Sequence, residues 1–234
     1  MLVSLLQPQD IAGGSYALLL IITLVTTVLL LLGTAWSPPR WKTALALAAM
    51  AALASSLSYL MGASVWFATG KITIIHRYVG WFVTLPLQVM VLYFFVASVG
   101  RLTLGLFWRL LVASVVMVLA RFMGEVGLMH PTLGFLIGLA LWLYLLGEAY
   151  FGRMAEVCAK DGNASVRRGY FWMRLVLTIG WAVYPLCYFI SAFSGGIDVR
   201  PLTVTYNLAD LVNLVAYTLA VLTIAMSARN SDGV

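Results

Sequence analysis

Asp210 stands in the stretch NLADLVNLVAYTLAVLTIA, residues 207–225, with Asn207 and Asn213 beside it in an otherwise apolar run. A carboxylate surrounded by hydrocarbon is costly and marks a functional site with a partner elsewhere in the chain. Arg77, in HRYVGWFVTLPLQV, is a cation whose long stem lets its head snorkel outward from within such a run. Aromatic residues gather in the same company: Trp81 just after Arg77, Tyr59 in an earlier apolar run, and Trp181, Tyr184 and Tyr188 in GWAVYPLCYF. Two chemistries are open to this set. The rings can wall a flat, elongated ligand pocket beside Asp210, or the hydroxyls and guanidinium can form a satisfied polar network that ties helices together. Glu125, in MGEVG, reads as an interfacial group near the outer face, and Glu148 as one that snorkels or pairs with Arg153. No nucleophile with a base and no metal-ligating cluster stands out, so neither an enzyme nor a metal site is expected. Cys158 and Cys187 have no disulfide or metal spacing and read as packing residues.

The elements that must position these groups follow from composition. The chain has 234 residues, 63% hydrophobic and 9% charged, with mean hydropathy +1.00, too few polar residues to cover a soluble surface. It reads as an all-α integral membrane protein. Seven apolar segments, approximately 12–35, 42–64, 73–98, 105–126, 132–155, 168–193 and 203–227, each approach the ~20 residues a helix needs to cross a bilayer. Between them lie WSPPRWK, ATGK, VGR, MHPT, AKDGNASVRR and SGGIDVRP, none long enough for a further domain. Residues 1–234 thus form a single seven-helix transmembrane domain. The opening MLVSLLQPQD has no basic n-region and reads as mature chain. The net charge of +6 resides in short loops, where it sets topology rather than attracting nucleic acid. Arg40, Lys42, Arg101, Arg153, Lys160, Arg167, Arg168 and Arg229 fall on one side, against Lys71 and Arg200 on the other. The first side is therefore cytoplasmic, which places the N-terminus outside and the C-terminus inside a cell's inner membrane.

Taken together, HRYVGWFVTLPLQV, MGEVGLMHP, GWAVYPLCYF and YNLADLVN, with RWKTAL entering the second segment, resemble the microbial rhodopsins, above all the proteorhodopsin branch. The match runs in one register over nearly the whole chain. It implies a seven-helix bundle around an internal chromophore site, walled by Tyr59, Trp81, Thr84, Pro86, Trp181, Tyr184, Pro185, Tyr188, Asp210 and Asn213. Gln88 matches the position where a glutamine resembles the blue-absorbing form. The same resemblance exposes departures. The position of the lysine that forms the retinal Schiff base is Leu214, that of the primary proton acceptor is Gly80, and that of the cytoplasmic proton donor is Val91. The histidine that tunes the acceptor is replaced by Ser58, and the three lysines present, Lys42, Lys71 and Lys160, lie at helix ends or in loops. Asp210 corresponds to the second counterion, deprived of its cation. It can pair with Arg77, accept hydrogen bonds from Tyr59 and Tyr184, or become protonated through desolvation. Leu214 is expected to point between Trp81 and Trp181.

The resulting expectation is a rhodopsin-like membrane protein with no covalent retinal and no light-driven proton pumping, in a light-independent structural or interaction role. One alternative is a non-covalent binder or sensor of retinal or another apolar molecule. A second is a light-independent proton or ion conductor through Asp210, against which Gly80 and Val91 count. No cofactor is expected. The partners expected are the lipid bilayer, further copies of the chain in a cyclic homo-oligomer packed through the first three helices, a pentamer by resemblance, and a lysine-bearing rhodopsin.

Overall fold

Helix limits follow the local chemistry at each turn of the chain. The computed structural model describes the backbone of residues 10–70, 74–193 and 199–232 and the side chains of residues 10–70, 74–187 and 202–229. Lys71 and the side chains of Tyr188 and Arg200 lie outside the described residues. The first helix, Ile11–Trp36, opens on Asp10, whose carboxylate accepts the Gly13 N–H at 2.8 Å. The second, Pro39–Thr69, and the first stretch of the fifth, Pro131–Phe151, begin on proline, whose missing N–H needs no partner there. The third runs over Ile74–Ala97, and the fourth, Leu104–Glu125, is capped by Thr103.

The fifth and sixth helices extend further than hydropathy predicts, and most of AKDGNASVRR is helical. After a break at Gly152 the fifth helix continues through Arg153–Asp161, sustained by an Arg153–Glu156 pair at 2.9 Å, and Asn163 caps a sixth helix that starts at Ala164. Helix propensity and capping carry the chain on after the apolar run has ended. The sixth helix comprises Ala164–Leu175, a π-helical turn at Val176–Gly180 and Trp181–Phe193. The seventh comprises Val199–Asp210, a second π-helical stretch at Leu211–Ala216 and Tyr217–Asp232.

Among the described residues, seven helices are thus long and apolar enough to cross a membrane. Their exposed sides carry large hydrophobic residues, such as Leu18, Ile21, Val25 and Val28 on the first helix, while Thr23, Thr26 and Thr27 of that helix are buried. Ser56 of the second helix donates to Thr23 Oγ1 at 2.9 Å. Small inward residues, including Ala44, Ala48, Ala51 and Ala52, let the second helix lie close against its neighbours. One core cluster fills the half of the bundle that holds Trp41, Val91, Leu92, Phe95, Met173, Tyr217 and Val221. A smaller cluster, with Tyr16, Leu19, Tyr59 and Trp66, joins the first two helices at the other end.

Candidate functional site

Asp210 ends the regular first stretch of the seventh helix, and three other helices reach it. Tyr59 from the second helix donates to Oδ2 at 2.6 Å, Tyr184 from the sixth donates to Oδ1 at 2.5 Å, and Arg77 from the third places Nη1 at 3.8 Å from Oδ2. Arg77 is only 8% exposed, and its guanidinium is held from several sides. Its Nη2 donates to Tyr16 Oη at 3.1 Å and to the Thr203 carbonyl at 3.3 Å, and it lies over the Tyr16 and Tyr206 rings. Since Tyr184 spends its proton on Asp210, its oxygen is left to accept, and Asn213 Nδ2 donates to it at 2.9 Å. The carboxylate therefore has a cation and two hydroxyl donors, all supplied by the chain.

The two π-helical stretches pack against each other here. Asn213 belongs to the one in the seventh helix, and its Oδ1 sits where a Cβ of Gly180, in the other, would have to be. Only glycine lets the two backbones approach with that amide between them. Leu214 follows Asn213 and is 2% exposed, four residues after Asp210.

Two cavities adjoin the network. One is lined by Ser55, Ser58, Tyr59, Gly80, Thr84, Asp210 and Leu214 among others. The second is lined by Met117, Phe135, Trp142, Trp181, Pro185 and Tyr206, with Arg121 and Glu125 also in its wall. Trp81, Leu85 and Tyr184 line both, and the Trp81 and Tyr184 rings meet edge-on at 4.9 Å between centroids, where the two spaces adjoin. Leu214 therefore shares its cavity with Trp81, whereas Trp181 faces the other. The indole N–H of Trp181 donates to Gln88 Oε1 at 3.2 Å and that of Trp142 to the Leu177 carbonyl at 3.0 Å, so both indoles have their polar edge satisfied. Tyr217 Oη donates to the Gln88 carbonyl at 2.7 Å, in the same helix as the buried Thr84, Pro86 and Val91.

Gly80 and Ser58 are spatial partners: a Cβ built at Gly80 would fall against Ser58 Oγ. Val91 is fully buried in the apolar core. Glu148 pairs with Arg109 at 3.6 Å and accepts from Tyr144 at 3.3 Å, not with Arg153, which is taken by Glu156. Arg153 lies beyond the break at Gly152, on the continuing helix. Glu125 pairs with Arg121, four residues before it, at 3.3 Å. Both cysteines are buried free thiols. Sequence reasoning passed over Asp10, which caps the first helix and also accepts the Trp66 Nε1–H at 2.8 Å; an acid immediately before an apolar run was the available signal.

The sequence and the fold are similar to those of known proteins. The family described as bacteriorhodopsin-like protein matches residues 12–228. The blue-light absorbing proteorhodopsin of Gamma-proteobacterium Hot 75m4 is 33% identical over 223 residues, which span 94% of this chain and 88% of that protein. The green-light absorbing proteorhodopsin of Gamma-proteobacterium EBAC31A08 is 31% identical over 222 residues, 94% and 89% of the two chains. The crystal structure of blue light-absorbing proteorhodopsin from Med12 superposes with a TM-score of 0.79 at 32% identity, covering 94% of this chain and 100% of that one. Thermophilic rhodopsin superposes with a TM-score of 0.84 at 26% identity, covering 95% of each. From a match along almost its whole length and relatives above 30% identity, the chain belongs to the bacteriorhodopsin-like family and is a multi-pass, seven-helix microbial rhodopsin of proteorhodopsin type.

Proposed function

We propose that this is a light-independent member of the family, one that holds the rhodopsin fold in the inner membrane without covalent retinal and without pumping protons. The observation that carries the reading is the closure of the Asp210 network. Arg77, Tyr59 and Tyr184 already satisfy the carboxylate, while the neighbouring residue that faces the cavity is the aliphatic Leu214. An imine needs an amine, and a leucine supplies none. Gly80 offers no carboxylate to take up a proton, and the buried Val91 offers none to return it, so a path across the bundle lacks carriers at both positions. This also counts against a conductor through Asp210. The role left to such a chain is structural, through contacts within the bilayer. It assembles as a cyclic homo-oligomer, a pentamer, through its first three helices with its N-terminus outside, and associates with a lysine-bearing rhodopsin.

A second reading is favoured by the aromatic cavity. Trp142 and Trp181 have their N–H groups satisfied and offer flat faces, together with Phe135 and Tyr206, to an apolar molecule held without a covalent bond. The two readings agree on transport. Membranes containing the protein and supplied with all-trans retinal are expected to give no light-driven pH change in unbuffered suspension. An acidification on illumination that a protonophore abolishes overturns both.

A further inference from the structure

Arg174 lies in the sixth helix, two residues before its π-helical stretch. Its guanidinium carbon stands 4.5 Å from the centroid of the Tyr150 ring and 4.8 Å from that of Tyr170. Both rings are fixed: Tyr170 donates to the Ala149 carbonyl at 2.7 Å, and Tyr150 shares a hydrogen bond with Thr178 Oγ1 at 3.1 Å. Among the described residues no carboxylate comes within 4.0 Å of Arg174, and its Nε is buried with no hydrogen-bond acceptor. Arg77, Arg109 and Arg121 each face a carboxylate. An arginine stays charged and carries five N–H donors in a rigid fork. Two tyrosine faces stabilise such a cation but accept none of its N–H groups in the ring plane. An anion from outside the chain is what completes the site.

The surroundings select its source. Arg167, exposed, is two helical turns from Arg174 on the same side of the helix, with Phe171 between them. Phe171 and Trp172 are 49% and 53% exposed, so the neighbouring surface is aromatic and apolar and suits acyl chains. Arg168 and Lys160, both exposed, add positive charge towards the polar end of the helix. A free ion in water gains nothing from the aromatic flank; a phospholipid fills both parts of the site. We propose that Arg174 seats the phosphate of an anionic phospholipid on the outside of the sixth helix, in the last turn of Ala164–Leu175, with Arg167, whose Nη1 donates to the Gly162 carbonyl at 2.8 Å, adding positive charge two turns nearer the polar end. This goes beyond the light-independent reading and does not depend on it. A phosphate diester matches the guanidinium fork through two oxygens. A headgroup without an ammonium is preferred because a second cation would meet Arg167 and Arg168.

Native mass spectrometry of the intact protein in mild detergent, titrated with phosphatidylglycerol, tests this. One lipid is expected to bind more tightly than the rest and more tightly than phosphatidylcholine. Arg174→Gln is expected to weaken that lipid by about tenfold or more, from the loss of hydrogen bonds between charged groups. Arg101→Gln, an exposed arginine in another loop, is expected to leave it unchanged, and inorganic phosphate is expected not to displace it. The proposal is overturned if Arg174→Gln binds the lipid as the native chain does, if Arg101→Gln weakens it equally, or if inorganic phosphate competes for the site. Should Arg174→Gln fail to fold, Arg174→Lys keeps the charge and loses the fork. Severalfold weaker binding then supports the site, and unchanged binding overturns it.

Discussion

Arg77 and Asp210 should be energetically coupled, and a double-mutant cycle measures by how much. Nη1 and Oδ2 stand 3.8 Å apart, with side-chain exposures of 6% and 15%. At an effective dielectric of ~20 the attraction at that distance is roughly 4 kcal/mol. Asp210→Asn removes the negative charge and leaves one amide oxygen for two tyrosine donors, while Arg77 remains buried with no counter-charge. Breaking a buried pair from one side costs about 3 to 5 kcal/mol. Arg77→Gln is milder, about 2 to 3 kcal/mol, because the carboxylate keeps both tyrosine hydrogen bonds, each of which contributes about 1.5 to 3 kcal/mol. In the double variant neither group is left charged and alone, so its loss should fall short of the sum by about 2 kcal/mol or more. The assay is reversible unfolding in mixed micelles with increasing dodecyl sulfate, followed by tryptophan fluorescence. If the two single losses add to within ~0.5 kcal/mol, the two residues act independently and the closed network is refuted.

Leu214→Lys with added retinal should give a coloured pigment, because Asp210 lies one turn away as counterion, although the Trp81 and Tyr184 rings must part to admit the polyene. A folded variant that stays colourless shows that these walls enclose no chromophore site. Adding Gly80→Asp should move its absorption band by placing a second carboxylate near the imine, and Ser58→Gly should relieve the contact that the new Cβ makes with Ser58 Oγ; a band unmoved by Gly80→Asp contradicts that placement. Gly180→Ala should destabilise the fold by about 1 to 3 kcal/mol, since its methyl would occupy the place of Asn213 Oδ1. Unfolding at the native denaturant concentration would contradict the close packing of the two π-helical stretches.

The bundle was legible because each span is an apolar run of membrane-crossing length, and the family resemblance supplied its register. The helical continuation through Arg153–Asp161 was not, because hydropathy falls once a helix leaves the bilayer, although an Arg153–Glu156 pair keeps it wound. Glu148 has Arg153 nearby in sequence, yet Gly152 breaks the helix between them and Arg109 arrives from a different helix. No composition signal marks the π-helical stretches, whose geometry depends on Gly180 and Asn213 meeting across two helices. The contact between Gly80 and Ser58 is of the same kind, set by how the second and third helices pack. Arg174 passed unnoticed in RRGYFWMRL because its surroundings, two tyrosines from different helices and no carboxylate among the described residues, exist only in three dimensions.

The central claim, that position 214 cannot attach a chromophore, is met most directly by incubating the purified native protein with all-trans retinal, recording its absorption spectrum and then treating it with borohydride. Free retinal's spectrum with no red-shifted visible band is expected, and an intact protein mass without a retinyl addition. A stable visible band, or a retinyl group fixed to the chain by reduction, would contradict it.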